Sequence, residues 1–145
     1  MKKILPTLFL AIMLTSCATT TQYVKYSGKQ LNKETNAKIY VIRPTNFGSA
    51  IKMSIYQDDK LIGKLGPKSF LSWEVIPEKG DVTIISKSEN KDMLTISPKA
   101  GKTYYIKQIT KMGFAFARTG LEFIDENEAK EMLKKLKKPQ LKYAE

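Results

Sequence analysis

Histidine is absent from the 145-residue chain, and Cys17 is its only cysteine. The first absence removes the commonest general base and metal ligand. The second excludes any disulfide within the chain. Arginine is scarce as well: Arg43 and Arg118 stand alone among 25 basic residues, the rest being lysine. Dedicated readers of phosphate and carboxylate usually use arginine forks. No Gly-rich phosphate loop, metal-ligand spacing or nucleophile elbow occurs. No apolar run approaches the ~20 residues of a membrane-spanning helix. These absences yield no catalytic residue, no metal site and no cofactor, so the chain is expected not to be an enzyme.

What is present begins at the N-terminus. Lys2 and Lys3 precede an apolar run from Ile4 to Leu14, interrupted by Pro6 and Thr7. This is the layout of an export signal, and residues 1–16 are therefore left out of the fold. The run Leu14-Thr15-Ser16-Cys17 resembles the lipobox of bacterial lipoprotein signal peptides. The resemblance implies a diacylglyceryl thioether on Cys17, cleavage between Ser16 and Cys17, and acylation of the new amino group. The rival reading is an incidental cysteine behind a plain signal, which leaves a free thiol in an exported protein to be explained. Each buried lipid CH₂ contributes ~0.8 kcal/mol, so several chains anchor stably. By the same resemblance Ala18, where inner-membrane lipoproteins tend to carry Asp, implies an outer-membrane protein facing the periplasm.

The charge balance is 25 basic against 14 acidic residues, a net of +11. Without Lys2 and Lys3 it is +9 over the mature chain. Such a surface attracts anionic partners. In the envelope these are lipid headgroups or acidic polymers, and the export signal argues against nucleic acid. Lys134, Lys135, Lys137, Lys138 and Lys142 form the densest cluster. Recognition of an anionic envelope polymer or lipid is one reading of it, and dispersed solubilising charge is the other.

Residues 17–36 are polar and read as a lipidated tether, with Tyr23, Val24, Tyr26 and Leu31 able to dock part of it. Residues 37–124 then carry seven or eight short strand signals separated by turns, which predicts a mainly β, sandwich-like domain. The first, Ala37–Arg43, is apolar on both faces, so it is expected to be central and covered on its second side. Met53–Tyr56 and Lys60–Leu65 flank Asp58-Asp59 as a hairpin. Further signals are Ser69–Val75, Asp81–Ser86, Met93–Ile96, Thr103–Thr110 and Gly120–Ile124.

The period changes after Asp125. Ala129, Met132, Leu133 and Leu136 recur at i, i+3, i+4 and i+7, which predicts one amphipathic helix over 125–138. Asp125 and Glu128 have capping-box spacing. Glu126 with Lys130, and Glu131 with Lys135, have i,i+4 ion-pair spacing. The narrow stripe favours packing on the open face of the sandwich over lying on a membrane. Pro139 ends the helix, and 139–145 is a tail.

The carboxylates offer no convincing acid–base pair. Asp58-Asp59, and Glu89 with Asp92, sit in turns, where such groups satisfy backbone donors. A carboxylate-dependent hydrolase of wall or glycan remains the least favoured alternative, with no residue to name. Met112-Gly113-Phe114-Ala115-Phe116-Ala117-Arg118 is less ordinary. An apolar loop either folds over the core or is offered to a partner. Met112, Gly113, Phe114, Phe116 and Arg118 are therefore the candidate binding loop, with Arg118 placed to pair with a carboxylate.

Several of these segments together resemble one bacterial family, domain of unknown function 2846, found in many small lipoproteins. They are Ile39-Tyr40-Val41-Ile42-Arg43-Pro44, Ala100-Gly101-Lys102-Thr103-Tyr104-Tyr105, Met112-Gly113-Phe114 and Leu121-Glu122. The resemblance spans roughly Ala37 to Leu136, implies a β-sandwich-like domain, and carries over no catalytic residue. The expectation is a lipid-anchored envelope protein acting as a non-enzymatic binding or assembly module. Its partner is an envelope protein or an anionic polymer, and its oligomeric state is not specified.

Overall fold

The structure is a computed structural model, and it describes residues 18–26 and 32–141. Its strands are β1 (Thr21–Gln22), β2 (Ala37–Arg43), β3 (Met53–Gln57), β4 (Lys60–Leu65), β5 (Ser69–Val75), β6 (Val82–Lys87), β7 (Lys91–Ile96), β8 (Thr103–Met112), β9 (Ala117–Phe123) and β10 (Gln140–Leu141). One helix, α1, spans Glu126–Leu133. The strands form a six-stranded sheet, ordered β10-β1-β4-β3-β6-β7, and a four-stranded sheet, ordered β5-β2-β8-β9. The expected mainly β, sandwich-like domain with one C-terminal helix is what the chain forms.

Strand β2 lies between β5, antiparallel, and β8, parallel. Alternation along it explains both of its apolar faces. Ile39 and Val41 point into the inter-sheet core with Met53, Ile55, Leu71 and Ile106. Tyr40 and Ile42 point the other way, toward Phe70 of β5, and α1 covers them with Ala129, Met132 and Leu133. Asp125 caps α1, its Oδ1 accepting from the amides of Asn127 at 2.8 Å and Glu128 at 2.9 Å.

Some details differ from expectation for local reasons. Glu128 pairs with Lys107 at 3.4 Å rather than turning back to close the capping box. Glu126 pairs with Lys130 as expected, but Glu131 takes Lys134 in place of Lys135. The helix stops at Leu133 rather than continuing to 138. Past it the backbone turns onto the edge of β5, where the Lys137 amide donates to Lys68 O at 3.0 Å and the Ser69 hydroxyl donates to Lys137 O.

The polar segment read as a tether is partly built into the domain. Strand β1 pairs with β4, and β10 pairs with β1. Gln22 is fully buried and reaches across to the free edge of β5. Its Oε1 accepts from Ser72 N at 3.0 Å and its Nε2 donates to Ser72 O at 2.9 Å. The amide side chain thus completes an edge that would otherwise recruit another chain.

Arg43 ends β2 with its side chain turned inward and no exposed surface. Nη1 donates to Ile51 O at 2.7 Å and Leu65 O at 3.2 Å. Nη2 donates to Phe47 O at 2.8 Å and Gly48 O at 2.9 Å. Nε has no partner, and among the described residues no carboxylate pairs with the group. Burial pushes its pKa down, but an arginine stays charged. The charge is therefore solvated by four peptide dipoles, which fix the 44–52 loop to the end of β4.

Arg43→Met should lower the unfolding free energy by about 2–4 kcal/mol, because it removes the guanidinium donors from four buried or partly buried carbonyls. Urea denaturation measures this, and Arg43→Lys should recover less than half, since one ammonium cannot reach all four. A loss near zero in Arg43→Met contradicts the role given to the cage.

Candidate functional site

Strands β8 and β9 are joined by a tight turn at residues 113–116, and the loop between β6 and β7 lies beside it. Glu89, in that loop, aims its carboxylate at the turn. Oε1 accepts from Phe114 N at 3.0 Å, and Oε2 accepts from Ala115 N at 3.3 Å and Phe116 N at 3.0 Å. Gly113 is required here, because a Cβ would lie 2.0 Å from Phe116 O and 2.1 Å from Glu89 Oε2. The Phe114 and Phe116 amides, with a smaller contribution from Ala115 and Arg118, hold the Glu89 carboxyl below the usual carboxylate range.

The neighbouring side chains continue the clasp along the free edge of β9. The Ser88 hydroxyl donates to Ala117 O. Asn90 brackets Thr119, donating to its carbonyl at 2.9 Å and accepting from its amide at 2.7 Å. Asp92 Oδ2 accepts from Leu121 N at 2.7 Å. Residues 88, 90 and 92 thus pair with 117, 119 and 121 in step, as a strand would.

This clasp fixes the turn's backbone with its apolar side chains outward. Phe114 is 100% exposed, Met112 80% and Phe116 65%. The Phe114, Ala115 and Phe116 amides beside them are all bonded to Glu89, which fixes the backbone that carries these side chains. Exposed apolar clusters are the kind of surface that partners cover. Gly48, in the Arg43-bound loop, packs on Thr110 and Ala117 at the base of the hairpin, and Phe47 beside it is 49% exposed.

Charge is distributed unevenly between the two ends of the sandwich. At the hairpin end Lys52, Lys68, Lys91, Lys111 and Arg118 are exposed. Lys111 and Arg118 are directly opposite each other across β8 and β9, a like-charge pairing that is unfavourable without a counter-anion. The exposed acids Asp58, Asp59, Glu78 and Asp81 lie in turns at the other end, where they offset the exposed Lys33, Lys60, Lys79, Lys99 and Lys102.

The structure thus brings Met112, Gly113, Phe114 and Phe116 together with Arg118 at one hairpin. Arg118 makes no ion pair among the described residues and lies beside Glu89. Lys134, Lys135, Lys137 and Lys138 are exposed on the segment that returns to the same end of the sandwich, but on its β5 side. Strand β2 lies between β5 and the hairpin, so they do not join its cluster. Ser16, Cys17 and Lys142 lie outside the described residues.

An open groove of about 640 Å³ lies at the end remote from the hairpin, between α1 and the turn at Gly101. Lys33, Lys38, Lys102, Tyr40 and Tyr105 line it, with Glu126 at its rim. Tyr40 and Tyr105 stack at 5.4 Å, and burial followed by the charge of Glu126 raises the Tyr105 pKa. Its walls come from segments far apart in the chain. The Gly101–Tyr105 run was the one local signal of it.

Asp58 Oδ1 accepts from Thr83 N at 2.9 Å, and Glu89 and Asp92 are committed to amides. Among the described residues no group of three or more His, Cys, Asp or Glu side chains converges on a metal-sized space. Nor is any described helix long and apolar enough to cross a membrane.

The model of the family described as "Protein of unknown function (DUF2846)" matches residues 33–120. The chain belongs to this family. An uncharacterized protein of Haemophilus influenzae is similar to it, with 31% identity over 131 residues that cover 87% of this chain and 77% of that one. No solved structure matches. The DUF2846 match contains Arg43, the Glu89 clasp and the whole apolar hairpin, whereas α1 and its lysines lie beyond it.

Glu89→Ala should free the Phe114, Ala115 and Phe116 amides and raise their hydrogen-exchange rates at least about tenfold, with the β2 amides unchanged. The pH dependence has a fixed sign. A carboxyl whose folded pKa is depressed supports the turn above its unfolded pKa and loses that support as pH falls through the folded value. Turn order should therefore persist at pH 5 and be lost below the usual carboxylate range. Unchanged exchange in Glu89→Ala would show that the clasp does not hold the turn.

Proposed function

We propose that this DUF2846 protein is a lipid-anchored cell-envelope module that binds through its apolar hairpin and performs no catalysis. The observation that carries the reading is the hairpin itself: three large apolar side chains exposed on a turn whose amides are bonded to Glu89. A loop built only for connection has no need of Glu89's three amide bonds. The N-terminal layout of Lys2-Lys3, an apolar run and Leu14-Thr15-Ser16-Cys17 supports attachment through lipid on Cys17. The commitment of Asp58, Glu89 and Asp92 to backbone amides supports a non-enzymatic role. Capture of an anionic polymer by the helix-end lysines alone has less support, because Lys134 is paired with Glu131 and the others are spread along an exposed segment.

Cys17→Ser should move the protein from the membrane fraction to the soluble fraction, with loss of the lipid mass on residue 17. Fractionation with mass spectrometry of the N-terminal peptide checks both. A variant that stays membrane-bound, or a wild-type protein whose Cys17 carries no lipid, contradicts the anchor.

A further inference from the structure

Resting on that anchored reading, we propose that the hairpin's partner is the lipid surface itself. The domain sits directly on an anionic bilayer, with Phe114, Phe116 and Met112 at the level of the lipid interface. Three independent observations converge on this. The first is where the chain leaves the domain. Ala18 N donates to Ser49 O at 3.1 Å, and the Gly66 amide donates to the Thr20 hydroxyl at 2.8 Å. Ser49 follows Gly48, which packs against the base of the hairpin. Residue 18 is thus fixed at the hairpin end, and Cys17 is its immediate neighbour in the chain, one Cα–Cα step of ~3.8 Å away. No slack remains to lift the domain away, so a lipid on residue 17 presents this end to the headgroups.

The second observation is the apolar tip. Aromatic and methionine side chains on a rigid turn suit the boundary between headgroups and acyl chains. The third is charge. Lys111 and Arg118 face each other at the base of the tip, and Lys52, Lys68 and Lys91 lie at the same end. Among the described residues none of the five is in an ion pair. Glu89, whose charge Arg118 feels, is already bonded to three amides. Headgroup phosphates supply the missing counter-charge, and juxtamembrane cations of this kind are attracted to anionic lipid. A protein partner would use the tip equally well but would not explain why the chain exits beside it.

The test is Phe114→Trp in the full, lipidated protein, reconstituted into vesicles of phosphatidylcholine and phosphatidylglycerol brominated in the upper acyl chain. Phe114 touches no core, so the fold is unaffected, and native Trp73 is only 3% exposed. The introduced indole should shift to shorter wavelength and be quenched about twofold or more at interfacial depth. Arg118→Glu in the same background should weaken the quenching. An unshifted, unquenched indole on protein that floats with the vesicles overturns the proposal and leaves the anchor intact. If instead the protein fails to float and Cys17 carries no lipid, the anchor reading fails. The proposal is then decided by adding excess anionic vesicles: quenching upholds it and its absence overturns it.

Discussion

One buried charge organises the end of the sandwich that carries the candidate site. Arg43 belongs to the central strand of one sheet, yet its guanidinium bonds to Leu65 O of the other and to three carbonyls of the loop that crosses between them. A hydrophobic side chain there would take the guanidinium donors from four carbonyls, of which Gly48 O would keep the Ile51 amide, and each buried group left unpaired is unfavourable by about 1–3 kcal/mol. The loop held by Arg43 places Gly48 against Thr110 and Ala117, and Ser49 against the incoming Ala18. The seat of the hairpin and the exit of the N-terminal segment both depend on that arrangement. Lysine predominates everywhere else, and this position shows why arginine stands here: only a planar fork reaches carbonyls on both sides at once.

The hairpin end repeats the same physical device with the sign reversed. Glu89 is an anion solvated by peptide N–H groups, as Arg43 is a cation solvated by peptide carbonyls. Such charges fix backbone without demanding a charged partner, which leaves the side chains of the fixed segment free for other use. At 112–116 those side chains are apolar and exposed. The exposed turn acids lie at the far end, Glu89 and Asp92 are bonded to amides, and Glu122, Glu126, Glu128 and Glu131 pair with Lys107, Lys130 and Lys134, so the hairpin end carries an excess of positive charge. An apolar tip within a cationic surround matches the physical profile of an anionic membrane interface.

Much of the fold was legible because the strands follow simple alternation. Ala37–Arg43 and Ser69–Val75 were bounded correctly by Pro44, by Gly66-Pro67 and by Pro77. The two apolar faces of β2 required a cover, and the helical stripe at Ala129, Met132 and Leu133 supplied it. Strand β1 was not legible, because Thr21 and Gln22 have no β pattern and are held by β4 and by the Gln22 side chain. Its trace in the sequence is Gly63 and Gly66, where a Cβ would collide with Thr21 O and Ala18 O. The composition of 112–118 marked a candidate loop, but its state depended on Glu89, some 25 residues away, and no local rule connects the two. Local reading left Arg118 open to pairing with a carboxylate, whereas cross-strand register sets it opposite Lys111.

If the account is right, the anchored domain has one orientation on the membrane. Strands β2 and β5 are seven residues long, and at ~3.3 Å per residue the two ends of the sandwich lie ~20 Å apart. The most direct measurement is energy transfer from a donor fluorophore at position 114, and separately at position 59, to headgroup-labelled lipid in vesicles bearing the lipidated protein. The account predicts that the position 114 donor lies at the bilayer surface and the position 59 donor ~20 Å farther from it. Equal distances, or a nearer position 59, would contradict it.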